Sequence, residues 1–228
     1  MTVLSPDVTE AVVLTLELAA VTTTLLIALA LPISWWLAWP QRWWKSVIGA
    51  VISLPLVLPP SVLGFYFLVA FGPSGPGGWI AHLWGARTLA FTFPGLVIGS
   101  LLYALPFAVQ PIHNAFHAMG RRPLEVAATL GASPWRTFHS VVIPLAWPGI
   151  ATAIVLGFAH TVGEFGIVLM IGGDIPGHTR VLSVALYDYV ENARWHEANI
   201  IAAGMVVFSF ITIMLLSSLQ LRSRGHDS

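Results

Sequence analysis

Charge is scarce in this sequence, and cysteine is absent altogether. Only 9% of the 228 residues are Asp, Glu, Lys or Arg, against roughly 25% in soluble domains, so most of the surface cannot face water. The missing thiols exclude disulfides, thiolate metal sites and cysteine catalysis, and leave the compartment open. A formal net charge of zero gives no ground for a nucleic-acid partner. No Gly-x-x-x-x-Gly-Lys-Ser/Thr loop is present to cradle a nucleotide's phosphates, and no His-Glu-x-x-His pair to hold a catalytic zinc. His113 and His117 are four apart and could share a helix face, but two imidazoles fall short of a zinc ligand set. Neither a metal nor a cofactor is expected. Internal repeats and low-complexity tracts are absent too.

What the chain does have is apolar length. Apolar residues make up 57% of it, and its mean hydropathy is +0.82. Two stretches, Ser46 to Ala86 and Thr88 to Gly120, contain no charged residue. A bilayer core needs about 20 helical residues, so each stretch can hold a full span. Lipid offers backbone groups no water, which leaves helices or closed barrels, and continuous rather than alternating apolar runs select helices. The expected class is an all-α membrane protein with about five transmembrane helices, near Ala11–Ala38, Ser46–Phe71, Leu89–Ile112, Leu145–Ile171 and Asn199–Leu221. The whole chain, 1–228, reads as one transmembrane domain lying in a lipid bilayer. Asp7 and Glu10, rather than basic residues, precede the first run, so it is expected to stay as a span and not to act as a signal peptide. With the N-terminus outside, the inside segments hold Arg42, Lys45, Arg121, Arg122, Arg136, Arg222 and Arg224, seven of the ten basic residues. That bias sets the orientation, with the C-terminus in the cytoplasm. Trp35, Trp36, Trp39, Trp43 and Trp44 gather at the inner end of the first span, as an interfacial belt would.

Two loops exceed simple turns, an inside one near 113–144 and an outside one near 172–198, and loops of that size usually carry function. The inside loop is punctuated as two short helices. Pro123 suits a first helical turn, Glu125 complements the helix dipole, Gly131 suits a left-handed end, and Ser133-Pro134 restarts the helix. So short a helix is marginal alone, and Leu124, Ala127, Ala128 and Leu130 would need a partner. In the second span, Pro55, Pro59 and Pro60 remove backbone donors, so it is expected to bend and to lie in the bundle interior. Glu164 is an acid within the fourth span, and such acids usually face a partner or a wet pathway. Its spacing from His160 would allow a hydrogen bond along one helix. Glu17 in the first span can simply reach water near the outer end.

These segments carry a family resemblance. Glu125-Val126-Ala127, Gly131, then Val141, Ile143 and Pro144 match the spacing of the cytoplasmic motif of ABC importer permeases (Glu-Ala-Ala, three residues, Gly, nine residues, Ile-x-Leu-Pro), with Val126 replacing the first alanine. The runs Leu54–Tyr66, Phe91–Gly95, Leu105–Phe107, Glu164–Gly177 and His178–Asp188 resemble the molybdate permease family, and the likeness extends from about Ala11 to Leu221. Arg180 and Val181 depart from its usual polar pair. The resemblance implies the type I ABC importer fold and a homodimeric, non-catalytic pore. It implies two ATP-binding cassette subunits that hydrolyse ATP and an extracytoplasmic molybdate-binding protein, in a bacterial inner membrane. Glu125, Ala127, Ala128, Gly131 and Pro144 would then form the ATPase-coupling motif. Pro59, Pro60, Ser61, Ser100, Thr161 and Glu164 are the candidates for pathway or gate, with Glu164 holding a gate rather than binding an anion.

Tungstate and sulfate remain open as substrates. A proton-coupled secondary transporter using Glu164 and His160 is disfavoured because such folds usually show internal repeats, and an intramembrane enzyme lacks a second catalytic group beside Glu164. The orientation is directly testable in a chain without cysteine. A lone cysteine at Arg122 is expected to react only from the cytoplasmic side, and its labelling from outside intact cells would overturn the topology.

Overall fold

The computed structural model describes residues 6–39, 42–83 and 85–224, with side chains described as far as Ser218. Helix α1 (Pro6–Ala38) is followed by α2 (Trp43–Ser53), a 3-10 turn (Leu54–Leu56) and α3 (Pro60–Phe71). The short α4 (Pro76–His82) leads to α5 (Phe93–Met119). Then come α6 (Arg122–Thr129) and α7 (Pro134–Thr137), which runs through a π-helical turn (Phe138–Val142) into α8 (Ile143–Gly163). Helices α9 (Gly166–Gly172), α10 (Leu182–Glu191) and α11 (Trp195–Arg224) complete the chain. Four of the described helices are long and apolar enough to cross a membrane, and a fifth span results if α2 and α3 count as one bent span.

Helices α1, α5 and α8 pack on one another because they present small residues where their backbones approach. Along α1 the buried face carries Ala11, Thr15, Ala19, Thr22, Ala30 and Ser34, while Val13, Leu16, Val21, Leu25 and Leu29 point outward. Apolar residues on the outer face are what a lipid environment demands, and small ones inside let helices come close. Gly149 of α8 lies against Ala115 and the Pro111 carbonyl of α5, and Gly157 lies against Leu26 of α1. Ser34 Oγ donates to the Val109 carbonyl at 3.1 Å, tying α1 to α5.

The apolar side chains form two main clusters. One, around Leu26, Ala104, Ile112, Phe116, Val142 and Ile150, fills the end where α1 finishes; Trp35 packs edge-on to Phe116 and Phe138 there. The other, around Leu18, Phe71, Leu96, Ile167, Ile171 and Val184, fills the opposite end. Helix α11 packs mainly on α8 and α10, and Val206, Phe210 and Met214 lie exposed along it.

Spans one, three and five match α1, α5 and α11, although α5 runs to Met119 and shortens the inside loop. The side chains of Arg222 and Arg224, which entered the charge bias, lie outside the described residues. The second span differs from expectation. It turns by 106° between Trp43–Leu56 and Pro60–Phe71, and Pro59, Pro60 and Ser61 lie exposed on the protomer rather than inside its bundle. The break can sit there because it bonds itself. The Leu54 carbonyl accepts from both Val57 and Leu58 N–H at 3.1 Å, and the Pro59 carbonyl accepts from Val62 and Leu63 N–H. The fourth span also differs: its helix stops at Gly163 and restarts as α9. The long outer loop contains α10.

Helices α3 and α9 are pressed together at Gly64, where an added Cβ would lie 2.8 Å from Cβ of Met170. Gly64→Val is therefore expected to destabilise the protein by about 1–3 kcal/mol through overpacking. Gly204→Val on α11, with no atom within 4 Å of its added Cβ, should leave the thermal midpoint of the purified protein close to wild type.

Candidate functional site

Two helix breaks meet in space, and the candidate gate lies between them. Helix α8 ends because Glu164 turns extended (ψ 130°), with its N–H returning to the Thr161 carbonyl at 3.4 Å. Phe165 then swings the chain so that α9 begins at Gly166. The Glu164 carbonyl, released from the helical ladder, accepts from Ser183 Oγ of α10 at 2.5 Å. Gly166 sits where an added Cβ would be 2.8 Å from Cβ of Pro60, so the break after α8 rests on the break before α3.

A cavity of about 610 Å³ opens beside the paired breaks, lined by Pro60, Ser61, Tyr103, His160, Glu164 and Phe165 among others. Glu164 is 4% exposed, and neither carboxylate oxygen has a hydrogen-bond partner among the described residues. Ser100 is close enough to act on it electrostatically, yet its Oγ does not reach ordinary hydrogen-bond geometry. The His160 ring stacks on Phe107 at 4.0 Å and tilts against Tyr103 at 4.8 Å, with Nε2 unpaired. The bond between His160 and Glu164 that their spacing allows is not made, because the helix ends between them. So the structure brings Pro60, Ser61 and Glu164 to one cavity, with Ser100 beside Glu164. Pro59 caps α3 next to it. Thr161 is buried, bonds the Gly157 carbonyl at 2.9 Å and does not line the cavity. Tyr103 and Ser183 are additions that sequence reasoning missed; each is an ordinary helix residue until the fold places it beside the break.

The end of α9 is anchored by polar contacts. Thr179 Oγ1 donates to the Gly172 carbonyl at 2.6 Å, and the Leu182 N–H donates to Thr15 Oγ1 of α1 at 2.8 Å. Arg180 bridges two acids: Nε stands 2.8 Å from Asp174 Oδ1, and Nη2 pairs with Asp188. Burial pushes the Asp174 carboxyl above its usual range, with Arg180 pulling it back down and Asp188 adding to the rise. The departure at Arg180 thus finds its partners within the same loop.

At the other end, α6 and α7 form an exposed elbow. Gly131 adopts φ +74°, and the N–H groups of Ala132 and Gly131 bond the carbonyls of Ala127 and Ala128 at 3.0 Å, which is the left-handed helix stop that glycine favours. Ser133 Oγ accepts from the Arg136 N–H at 3.3 Å and caps α7. The expected apolar face divides in two. Leu124 packs against the cluster around Ile112, Phe116 and Val142 and Ala127 is buried, whereas Leu130 is 81%, Trp135 73% and Val126 58% exposed. A depression of about 660 Å³ runs along this outward side, bordered by Val126, Leu130, Gly131 and Arg136. Glu125, Ala128 and Pro144 are exposed. The Arg121 guanidinium lies 5.1 Å over the Trp39 ring and fixes the elbow to the end of α1.

Residues 30–224 match the family model described as the binding-protein-dependent transport system inner membrane component. The chain is 58% identical over 208 residues to the molybdenum transport system permease protein of Azotobacter vinelandii, covering 91% of this chain and 92% of that one. It is 29% identical to a probable sulfate transport system permease protein of Chlorella vulgaris, covering 95% of this chain and 81% of that one. Among solved structures, a bacterial ABC transporter that imports the acidic polysaccharide alginate matches with a TM-score of 0.71 at 19% identity, over 97% of this chain and 80% of that one. This likeness shows the fold.

The Ser183–Glu164 bond yields a local test. Ser183→Ala leaves a buried carbonyl unpaired, at a cost of about 1–3 kcal/mol. Amide exchange is expected to accelerate at residues 163–167, with little change in α1 or α5; unchanged exchange at the break would show that this bond does not hold it.

Proposed function

The chain belongs to the family of binding-protein-dependent transport system inner membrane components, and from that premise we propose that it is the membrane-spanning permease subunit of an ATP-driven importer of molybdate. It works as a homodimer, with two ATP-binding cassette subunits in the cytoplasm and a molybdate-binding protein outside. It has no catalytic residue of its own. The N-terminus lies outside and the C-terminus in the cytoplasm, following the basic residues. Twice the identity to a molybdenum permease as to a sulfate permease supports the substrate. Tungstate, a tetrahedral dianion of nearly equal size, follows the same route.

The observation that carries the proposal is the exposed elbow. Leu130 and Val126 border a depression and Trp135 is exposed on the same elbow, and large apolar side chains gathered on the watery side of a membrane mark a protein contact. Glu125, Ala127, Ala128, Gly131 and Pro144 set the shape of this elbow, and it docks on the ATPase subunit. From α7 the helix continues through the π-helical turn and α8 to Gly163 without interruption, so movement of the elbow is delivered as displacement of the break at Glu164. Helices α3 and α9 respond together, because Pro60 rests on Gly166 and Gly64 on Met170. The pathway opens at the cavity they border, past Ser61 and Ser100, and Glu164 holds the gate. A pore of this kind binds its anion weakly, and the delivering protein selects.

Reconstituted with its ATPase and binding protein, the complex is expected to take up molybdate and tungstate only with ATP, and to lose nearly all uptake when the binding protein is omitted. Gly131→Val costs about 1–2 kcal/mol at a left-handed position and meets no neighbouring atom. It should insert normally yet fail to retain the ATPase. Robust sulfate uptake indifferent to molybdate would move the chain to the sulfate importers, and uptake without ATP would remove the importer assignment.

A further inference from the structure

A second cavity lies at the cytoplasmic end of α2 and α5, apart from both the gate and the elbow, and it encloses about 630 Å³. Its walls carry Arg42, Lys45 and Ser46 from the start of α2, and Gln110, His113 and Asn114 from α5. No carboxylate lines it, and among the described residues no acid pairs with Arg42 or Lys45. Lys45 is 5% exposed. Its ammonium serves the Trp36 and Trp39 carbonyls at the end of α1 and lies 4.7 Å over the Trp36 ring, so its charge stands just behind the cavity wall. A buried cation without a counter-charge is costly, and here the carbonyls offset only part of that cost.

The cavity is also in line with the gate. Tyr103 lines the gate cavity, and Gln110 and Asn114 line this one. They follow Tyr103 by seven and eleven residues on the same helix, two and three turns on, so all three share one face. These polar positions, with Phe107 between the first two, are spaced along that face of a membrane-spanning helix from the helix breaks to the basic mouth. Gln110 Nε2 donates to Ser53 Oγ at 3.2 Å, which places an amide and a hydroxyl group together on the wall of the groove.

We infer that this groove is a weak binding site for a tetrahedral oxyanion, the last station of the transported anion before the cytoplasm. The inference rests on the importer reading above and deepens it. Arg42 supplies a charged donor and the Lys45 ammonium adds its field from behind the wall, while Ser46, Gln110 and Asn114 supply neutral donors to the oxygens. The arrangement attracts an anion without enclosing it, as release requires. A lipid phosphate has the same chemistry, but the polar groups spread over the wall, Ser46, Ser53, Gln110 and Asn114, suit a small free anion better than an acyl chain.

The test uses the assembled importer in its nucleotide-free form, with Asn114→Cys as the sole cysteine of the permease. Gln110→Cys serves as a second variant should the first not assemble. Labelling from the cytoplasmic face compares a negatively charged with a positively charged thiol reagent of similar size. The negative reagent should react roughly tenfold faster, a modest steering effect, and Arg42→Gln should remove the difference. Molybdate added to vesicles of phosphatidylcholine alone should slow labelling. Protection that requires phosphatidylglycerol, with molybdate inactive, would assign the groove to a lipid headgroup and overturn the exit site. Equal rates for both reagents with no protection would overturn it as well. ATP-dependent molybdate uptake is measured on the same preparations. Uptake with indifferent labelling sinks this inference alone, whereas absent uptake in the wild type sinks the importer reading.

Discussion

Inside a bilayer a backbone carbonyl released from its helix must find a donor within the protein. The single hydrogen bond from Ser183 Oγ to the Glu164 carbonyl meets that demand at the break after α8. It lets a membrane-spanning helix end at Gly163 and the chain turn away, and the rest of the molecule is organised around the stop. Helix α9 can then leave the axis of α8 and pack on α3, which is itself released from α2 by Pro55, Pro59 and Pro60. A continuous fourth span would leave Gly166 and Met170 far from Pro60 and Gly64. Neither the gate cavity nor the paired breaks would exist.

The two apolar clusters give this arrangement its mechanics. One joins α1, α5 and α8 near the elbow, and the other joins α3, α9 and α10 to the far ends of α1 and α5. Close packing within each cluster resists deformation, so relative displacement concentrates at the breaks, where the ladder is already interrupted. In the proposed mechanism the elbow acts on one cluster, and α3 and α9, which border the candidate gate, belong to the other. Glu164 sits at the joint, buried and without a hydrogen-bond partner among the described residues, beside the similarly unpaired Ser100 and His160.

The parts of this design that depend on local chemistry were legible in the sequence. Gly131, Ser133 and Pro134 determine a turn within a few residues, so their punctuation anticipated the elbow, and the long apolar runs anticipated the spans. Pro60, Ser61 and Glu164 were singled out separately, and the fold unites them. What could not be read was long-range. Nothing in Gly163–Gly166 announces a helix end as proline would, because Ser183, seventeen residues past the break, makes it tolerable. The exposure of Pro59 and Pro60 likewise depends on carbonyl bonds made within the bend, which composition does not reveal. Leu124 and Leu130 are equally apolar, and only the helix's seat on the cluster near the end of α1 decides which turns inward.

The central claim is that α3 and α9 move as one body, hinged at the two stacked breaks. Paired cysteines bridged by a short thiol cross-linker test it most directly. A bridge between cysteines on α3 and α9, placed beside the Gly64–Met170 contact because that contact has no room for an added Cβ, lies within the moving body and should leave ATP-driven uptake largely intact. A bridge between Ser61→Cys and His160→Cys spans the hinge and should stop uptake while the complex stays assembled and still binds ATP. Full uptake with the hinge bridged would contradict the account, as would arrest by the bridge within the body alone.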